Sequence, residues 1–123
     1  MFKPIEILRF INKYNSGFLD FYKIDKHTAL SYIETHLKYD TLVTLQDENG
    51  KLIAVTRFNI RGAVADCFDT VIHPKHRGLS TLKSLVLKAH LLHPYTEFLQ
   101  FERRMKYPNK QLATYSIKKF LGE

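Results

Sequence analysis

Thr70-Val71-Ile72-His73-Pro74-Lys75-His76-Arg77-Gly78-Leu79-Ser80-Thr81-Leu82 is the stretch on which the reading of this chain turns. Thr70, Val71 and Ile72 are β-branched and read as the end of a strand. Pro74 stops that strand because it has no backbone donor. A short basic turn with one glycine follows. Ser80 or Thr81 is then placed to cap a helix over about residues 80–93, with Leu82, Leu85, Val86 and Ala89 on one face and Pro94 closing it. A strand, a turn and a helix N-terminus in succession make a holder for an anion, because free N–H groups and the positive end of the helix dipole point into the turn. Amides of about residues 78–82 are the expected donors, with Lys75 and Arg77 adding charge.

Working outward, Pro4 opens a helix over about residues 4–14, closed by Asn15-Ser16-Gly17. Residues 18–24 are aromatic-rich and read as a strand or as a continuation of helix. Asp25 is placed to cap a helix running to about Lys38, with Leu30, Ile33 and Leu37 on one face. Thr41–Leu45, the turn Asp47-Glu48-Asn49-Gly50, Lys51–Ile60, the turn Arg61-Gly62 and Ala63–His73 make an antiparallel meander. After the crossover helix, Thr96–Met105 is expected as a strand parallel to the third meander strand. Tyr107-Pro108-Asn109 breaks it, and Lys110–Leu121 is expected as a last helix. The fold class is α+β.

The string Ile72-x-Pro74-x-x-Arg77-Gly78, followed by a leucine-rich helix, resembles motif A of the GNAT superfamily of N-acetyltransferases. Ser80 and Leu82 stand where the family has a glycine and then a glycine or alanine. The element order over about residues 18–121 is similar to the core of that fold. What the resemblance implies is one domain over residues 1–123, with a mixed, mostly antiparallel sheet flanked by helices. It implies acetyl-CoA as cofactor, held at Ile72, Lys75, Arg77, Gly78, Leu79, Ser80, Thr81 and Leu82. Asn109, Ala113, Tyr115, Lys118, Lys119 and Gly122 echo the family's motif B, displaced by one residue. Through that echo Asn109 joins the cofactor-binding set, and Tyr115 becomes the acid that protonates the departing thiolate. The family's last two strands have no counterpart in this reading, which leaves the acceptor side open or to be completed by a second copy of the chain.

For the general base, Asp66 and Asp69 interrupt an otherwise apolar strand, and Glu102 lies on the next. A spacing of three puts the two aspartates on opposite faces of a regular strand; a β-bulge changes that. Cys67 is the only cysteine, which excludes an internal disulfide and suits a reducing compartment. It reads as an inert buried thiol. The pairs His73/His76 and His90/His93 lack a third ligand, so no metal is expected.

The formal charge is +7, which suits a nucleotide-like anion, nucleic acid or an acidic protein. Arg103, Arg104, Lys106 and Lys110, interleaved with Phe98, Phe101 and Tyr107, are the candidate basic surface. No signal peptide and no run of ~20 apolar residues is present, so a cytoplasmic protein away from membranes is expected. The leading expectation is acetyl transfer from acetyl-CoA to an amine of a small molecule or protein. The alternative is a catalytically inactive binding module that uses its basic face.

Overall fold

The computed structural model describes residues 2–14, 25–104 and 110–122, and their side chains except those of 67–68, 101–104 and 110–112. The expected strand at 18–24 and the residues Asn109, Lys106 and Tyr107 lie outside these. The elements are α1 (Pro4–Tyr14), α2 (Lys26–Lys38), β1 (Leu42–Gln46), β2 (Leu52–Arg61), β3 (Val64–Ile72), a 3₁₀ turn (Pro74–His76), α3 (Leu79–Leu92), β4 (Phe98–Arg104), β5 (Lys110–Ser116) and α4 (Ile117–Phe120). They form an α+β fold with one mixed sheet in the order β1-β2-β3-β4-β5. Only the β3–β4 pairing is parallel.

Local chemistry sets the ends of these elements. The Asp25 carboxylate accepts from the His27 N–H at 2.9 Å and from the Thr28 hydroxyl at 2.9 Å, which caps α2. Those bonds, the Thr28 one foremost, hold the Asp25 carboxyl below its ordinary range. At the β1–β2 turn the Asp47 side chain accepts from the amides of Asn49 and Lys51. Gly50 supplies the left-handed step, with φ 81°.

Helices cover both faces of the sheet. On one face α1 and α2 bury Ile7, Leu8, Ile11, Ala29 and Ile33 against Leu42, Val55 and Val71. On the other face α3 buries Leu85 and Ala89 against Val43, Ala54, Phe58 and Ala65. Strand alternation assigns the rest: Ala54, Thr56 and Phe58 face α3, while Val55 and Arg57 face α2. A third apolar group, Val86, Leu99 and Ile117, joins α3 to β4 and α4.

The expected last helix is corrected. Residues 110–116 form β5, antiparallel to β4 over seven registers from Arg104↔Lys110 to Phe98↔Ser116. Only Ile117–Phe120 is helical. Leu112, Tyr115, Ile117 and Phe120 do not recur at a clean helical period. Alternation in Ala113-Thr114-Tyr115-Ser116 fits a strand, and the free edge of β4 supplies the partner that local propensity does not foresee. Tyr115 therefore stands on a strand.

Among the described residues no helix is long and apolar enough to cross a membrane.

Candidate active site

The turn after β3 is built by its own residues. The His73 N–H bonds the Ile53 carbonyl at 2.8 Å, which ends the β2–β3 ladder. The His73 ring caps the 3₁₀ turn, its Nδ1 accepting from the Lys75 N–H at 3.1 Å. Burial first, then the cations of His76, Lys75, Lys13 and Arg77, push the His73 imidazole below its ordinary value, so the neutral ring is the favoured acceptor. The Arg77 side chain folds back, its Nε donating to the Ile72 carbonyl at 3.2 Å. Thr81 donates its hydroxyl to the His76 carbonyl.

Neither Ser80 nor Thr81 caps α3. The cap is Gly78, which makes no side-chain bond to the helix. Its φ of 147° lies where L-residues are strained. An added Cβ there meets nothing within 4 Å, so the requirement is conformational and the space beside it is open. The first backward bond of α3 runs from the Leu82 N–H to the Gly78 carbonyl. The amides of Leu79, Ser80 and Thr81 therefore precede the helical ladder and point outward. Beside them lies an open cleft of about 520 Å³ lined by Leu79, Ser80, Lys83, Ser84, Leu87 and Leu121. Leu82 does not line it. Lys83 was not singled out in the sequence, although its place one turn into the helix puts a cation beside these amides.

The β3–β4 ladder is short. It contains only Val64↔Phe98 and Ala65↔Leu99. From Asp66 to Ile72, β3 has no ladder partner on its β4 side among the described residues. This unpaired edge runs from the end of the parallel pairing to the turn before α3, ~20 Å by strand rise.

A bulge decides where the aspartates point. Between the pairs Arg57↔Asp69 and Asn59↔Asp66, β2 advances two residues while β3 covers three. The extra residue brings Asp66 and Asp69 to the same face, the one away from α3. Asp66 accepts from Arg61 Nε at 2.9 Å. Asp69 is ion-paired with Arg57, whose guanidinium stacks over the Tyr32 ring of α2 at 5.6 Å. Arg61 also donates to the Gln100 side chain at 3.2 Å, and Gln100 donates to the Thr114 hydroxyl at 3.0 Å. A polar chain thus joins β2, β3, β4 and β5 where the parallel ladder ends. Arg57, Arg61, Gln100 and Thr114 were not foreseen. The polar alternation Arg57, Asn59, Arg61 along β2 was the available signal.

Tyr115 pairs with Leu99 and packs against the Val86–Leu99–Ile117 group, on the α3 side of the sheet. Its ring lies 6.1 Å from that of Phe120. His90 and His93 serve packing: His93 Nε2 bonds the Asp40 carbonyl at 2.8 Å, and His90 lies 3.3 Å from the buried Thr96 hydroxyl. Among the described residues no group of three metal-ligating side chains exists. The side chains of Cys67, Glu102, Arg103, Arg104 and Lys110 lie outside those described.

A search of solved structures finds this arrangement elsewhere. The chain matches a mutant of spermidine N-acetyltransferase SpeG from Vibrio cholerae with a TM-score of 0.63 at 12% identity, covering 94% of this chain and 92% of that one. A chimera of SpeG from Vibrio cholerae and hSSAT gives 0.58 at 13% identity, with 94% of both chains covered. The putative acetyltransferase yncA of Salmonella typhimurium, solved with acetyl-CoA, gives 0.51 at 14% identity. There the match covers 80% of this chain and 61% of yncA.

The chain has the GNAT fold. No family model and no curated protein matches its sequence. The GNAT fold is therefore formed here with Ser80 and Leu82 inside the first turn of α3, and with Gly78 supplying the backbone freedom at the start of that helix.

Proposed function

We propose that this chain is an N-acetyltransferase that moves the acetyl group of acetyl-CoA to an amine. The observation that carries the reading is the β3–β4 ladder that ends after two pairs, leaving an open strand edge that leads to unpaired helix amides. The residues fit the cofactor. The amides of Leu79, Ser80 and Thr81, with Lys83 and Lys75, suit a diphosphate. The free edge of β3 offers peptide groups to the pantetheine amides, and Gly78 leaves room for close approach. Solution of yncA with acetyl-CoA on a similar fold supports the same assignment.

Acetyl-CoA supplies an activated acyl carbon when bound. The residues of this chain do the rest from two sides of the sheet. Asp66 lies beside the end of the parallel ladder, on the face away from α3. It takes the proton of the acceptor's ammonium, directly or through water, and frees the nitrogen lone pair to attack the acyl carbon. Tyr115, on the α3 side, gives its phenolic proton to the sulfur as the carbon–sulfur bond breaks, and the second proton lost by the acylated nitrogen restores the phenol through solvent. Asp69, paired with Arg57 beneath Tyr32, holds α2 to the sheet.

Thermal unfolding with and without acetyl-CoA tests the first half. Cofactor at 100 times its dissociation constant stabilises the fold by about 2.7 kcal/mol. No shift at millimolar cofactor overturns the reading. Thiol release in the presence of amines tests the second half. A shift without release for any amine leaves the inactive binding module in its place.

A further inference from the structure

One edge of the Arg61 guanidinium is shared between two acceptors. Nε and Nη2 carry parallel N–H bonds, a fork that takes both oxygens of a single carboxylate where nothing else claims it. Here the fork is split. Nε donates to Asp66 Oδ2 at 2.9 Å, and Nη2 donates to Gln100 Oε1 at 3.2 Å. The Gln100 amide is fixed from its other end, its Nε2 donating to the Thr114 hydroxyl at 3.0 Å. An amide held in this way turns its oxygen to the arginine and its nitrogen to β5. The sheet register makes the arrangement. Asp66 and Gln100 each stand one residue beyond Ala65↔Leu99, where the parallel ladder ends, and Gln100 is paired with Thr114. Asp66 is buried while Arg61 is exposed, so the aspartate, with little water around it, answers to each donor it keeps or loses.

A carboxylate gripped by both donors of an arginine fork holds its charge too well to accept a proton readily. One that has lost its arginine keeps its proton to higher pH. Gln100 holds Asp66 between these two states. We propose that Gln100, anchored by Thr114, is a positioning residue that sets the proton affinity of Asp66 by keeping one of the two fork donors of Arg61. The inference rests on the assignment of Asp66 as the base that takes the acceptor's proton. Other charged and titratable groups share this side of the sheet: Arg57 on β2, Asp69 on β3, and Tyr32 and His36 of α2 beside that ion pair. Glu102 on β4 and Lys110 on β5 have the strand parity of Gln100 and Thr114, and their side chains lie outside those described. All of them are the same in wild type and in substitutions of Gln100 or Thr114, so differences among those proteins report the fork.

The test follows the Asp66 carboxyl carbon by NMR through a pH titration of isotope-labelled protein, the resonance being assigned by its loss in Asp66→Asn. Gln100→Leu frees Nη2 to close on the same carboxylate, and the Asp66 midpoint falls by roughly half a pH unit or more. Gln100→Glu gives the fork a carboxylate on β4 and adds a negative charge, and the midpoint rises by roughly one pH unit. Thr114→Val releases the amide and moves the midpoint in the direction of Gln100→Leu, while Thr114→Ser restores the wild-type value. Midpoints equal to the wild type in both Gln100 variants, or displaced the same way in both, overturn the inference, because a purely structural role moves them alike. This arm needs no acceptor, so it decides the inference whichever amine the protein uses. Thiol release from acetyl-CoA, with phenethylamine and spermidine as probe amines, examines the assignment beneath it. The acid limb of the kcat/KM profile is expected to move with the NMR midpoint in each variant. Opposed midpoints, together with an Asp66→Asn variant as active as the wild type, uphold the division of the fork and overturn Asp66 as the base instead.

Discussion

Beneath α3 the sheet is mostly hydrocarbon: Ala54, Phe58 and Ala65 are buried against Leu85 and Ala89, with the buried Thr56 hydroxyl bonded to that of Thr70, and the backbone polar groups gather at the turn beyond Ile72. On the opposite face, past the ground covered by α1 and α2, Arg57, Asn59, Arg61, Asp66, Gln100 and Thr114 form linked ion pairs and side-chain hydrogen bonds. Under the proposed function one face recognises with amides that any sequence carries, provided Gly78 lets the chain turn. The other recognises with particular side chains. Substitutions at the turn therefore act through backbone shape, and those on the second face through chemistry. In the proposed reaction an acyl donor and an acceptor, held on opposite faces, meet where the β3–β4 ladder stops.

The largest expected effect lies on the side-chain face. Asp66→Asn keeps the shape and removes the proton acceptor, so kcat/KM for the amine falls by roughly 10³-fold. The acetyl-CoA dissociation constant, read by calorimetry, stays within about twofold, because the α3 face is untouched. Its counterpart is Tyr115→Phe, which lowers kcat by about 10²-fold and leaves the amine's binding alone. If both variants instead weaken acetyl-CoA equally, the division of labour between the faces is wrong.

Gly78→Ala probes the backbone face. A residue with a Cβ at φ 147° is strained, at a cost of about 1–3 kcal/mol. Because the added carbon meets no neighbour within 4 Å, the strain is relieved by a shift of the turn rather than by repacking. Denaturant midpoint and acetyl-CoA affinity both fall, by about 10-fold to 100-fold in the latter if the whole strain is lost from the binding geometry. The amine's KM does not move. A wild-type cofactor affinity in this variant shows that the shape of the turn does not hold the anion, and the side chain of Lys83 in the neighbouring cleft then becomes the place to look.

The two faces were unequally legible in the sequence. The turn was readable because Pro74, Arg77 and Gly78 act locally, through missing donors and permitted φ values, and the meander was readable because Asn49-Gly50 and the alternating apolar residues are local as well. The cap of α3 was misassigned to Ser80 or Thr81 because hydroxyl residues are good caps; the residue with the needed backbone angle was Gly78. The side-chain face depends on register. One extra residue in β3 turns Asp66 to the side of Asp69, and nothing in Asp66-Cys67-Phe68-Asp69 announces which residue is extra. The strand β5 depends on the open edge of β4, which no window over residues 110–116 contains. Arg61 meets Gln100 across 39 positions of chain, a contact that only the assembled sheet creates.

The smallest effect concerns His73, the first residue of the turn. Its Nδ1 accepts the Lys75 amide, and its ring lies 4.6 Å from the Tyr14 ring of α1. Burial and the surrounding cations lower its titration below the ordinary 6.5, and burial lowers that of His36 likewise, with Arg57 adding to it. The unfolded chain therefore binds more protons than the folded one in mildly acid solution. Stability from these rings is whole above about pH 6.5 and is lost as pH falls through the lower folded values. His73→Asn keeps a side-chain oxygen for the Lys75 amide and removes one titrating ring. Its melting temperature should match the wild type at pH 8 and decline less steeply toward pH 5, with the remaining slope carried by His36. A slope unchanged from the wild type assigns the whole acid loss to other groups, and the turn then holds its shape without help from the charge state of its first residue.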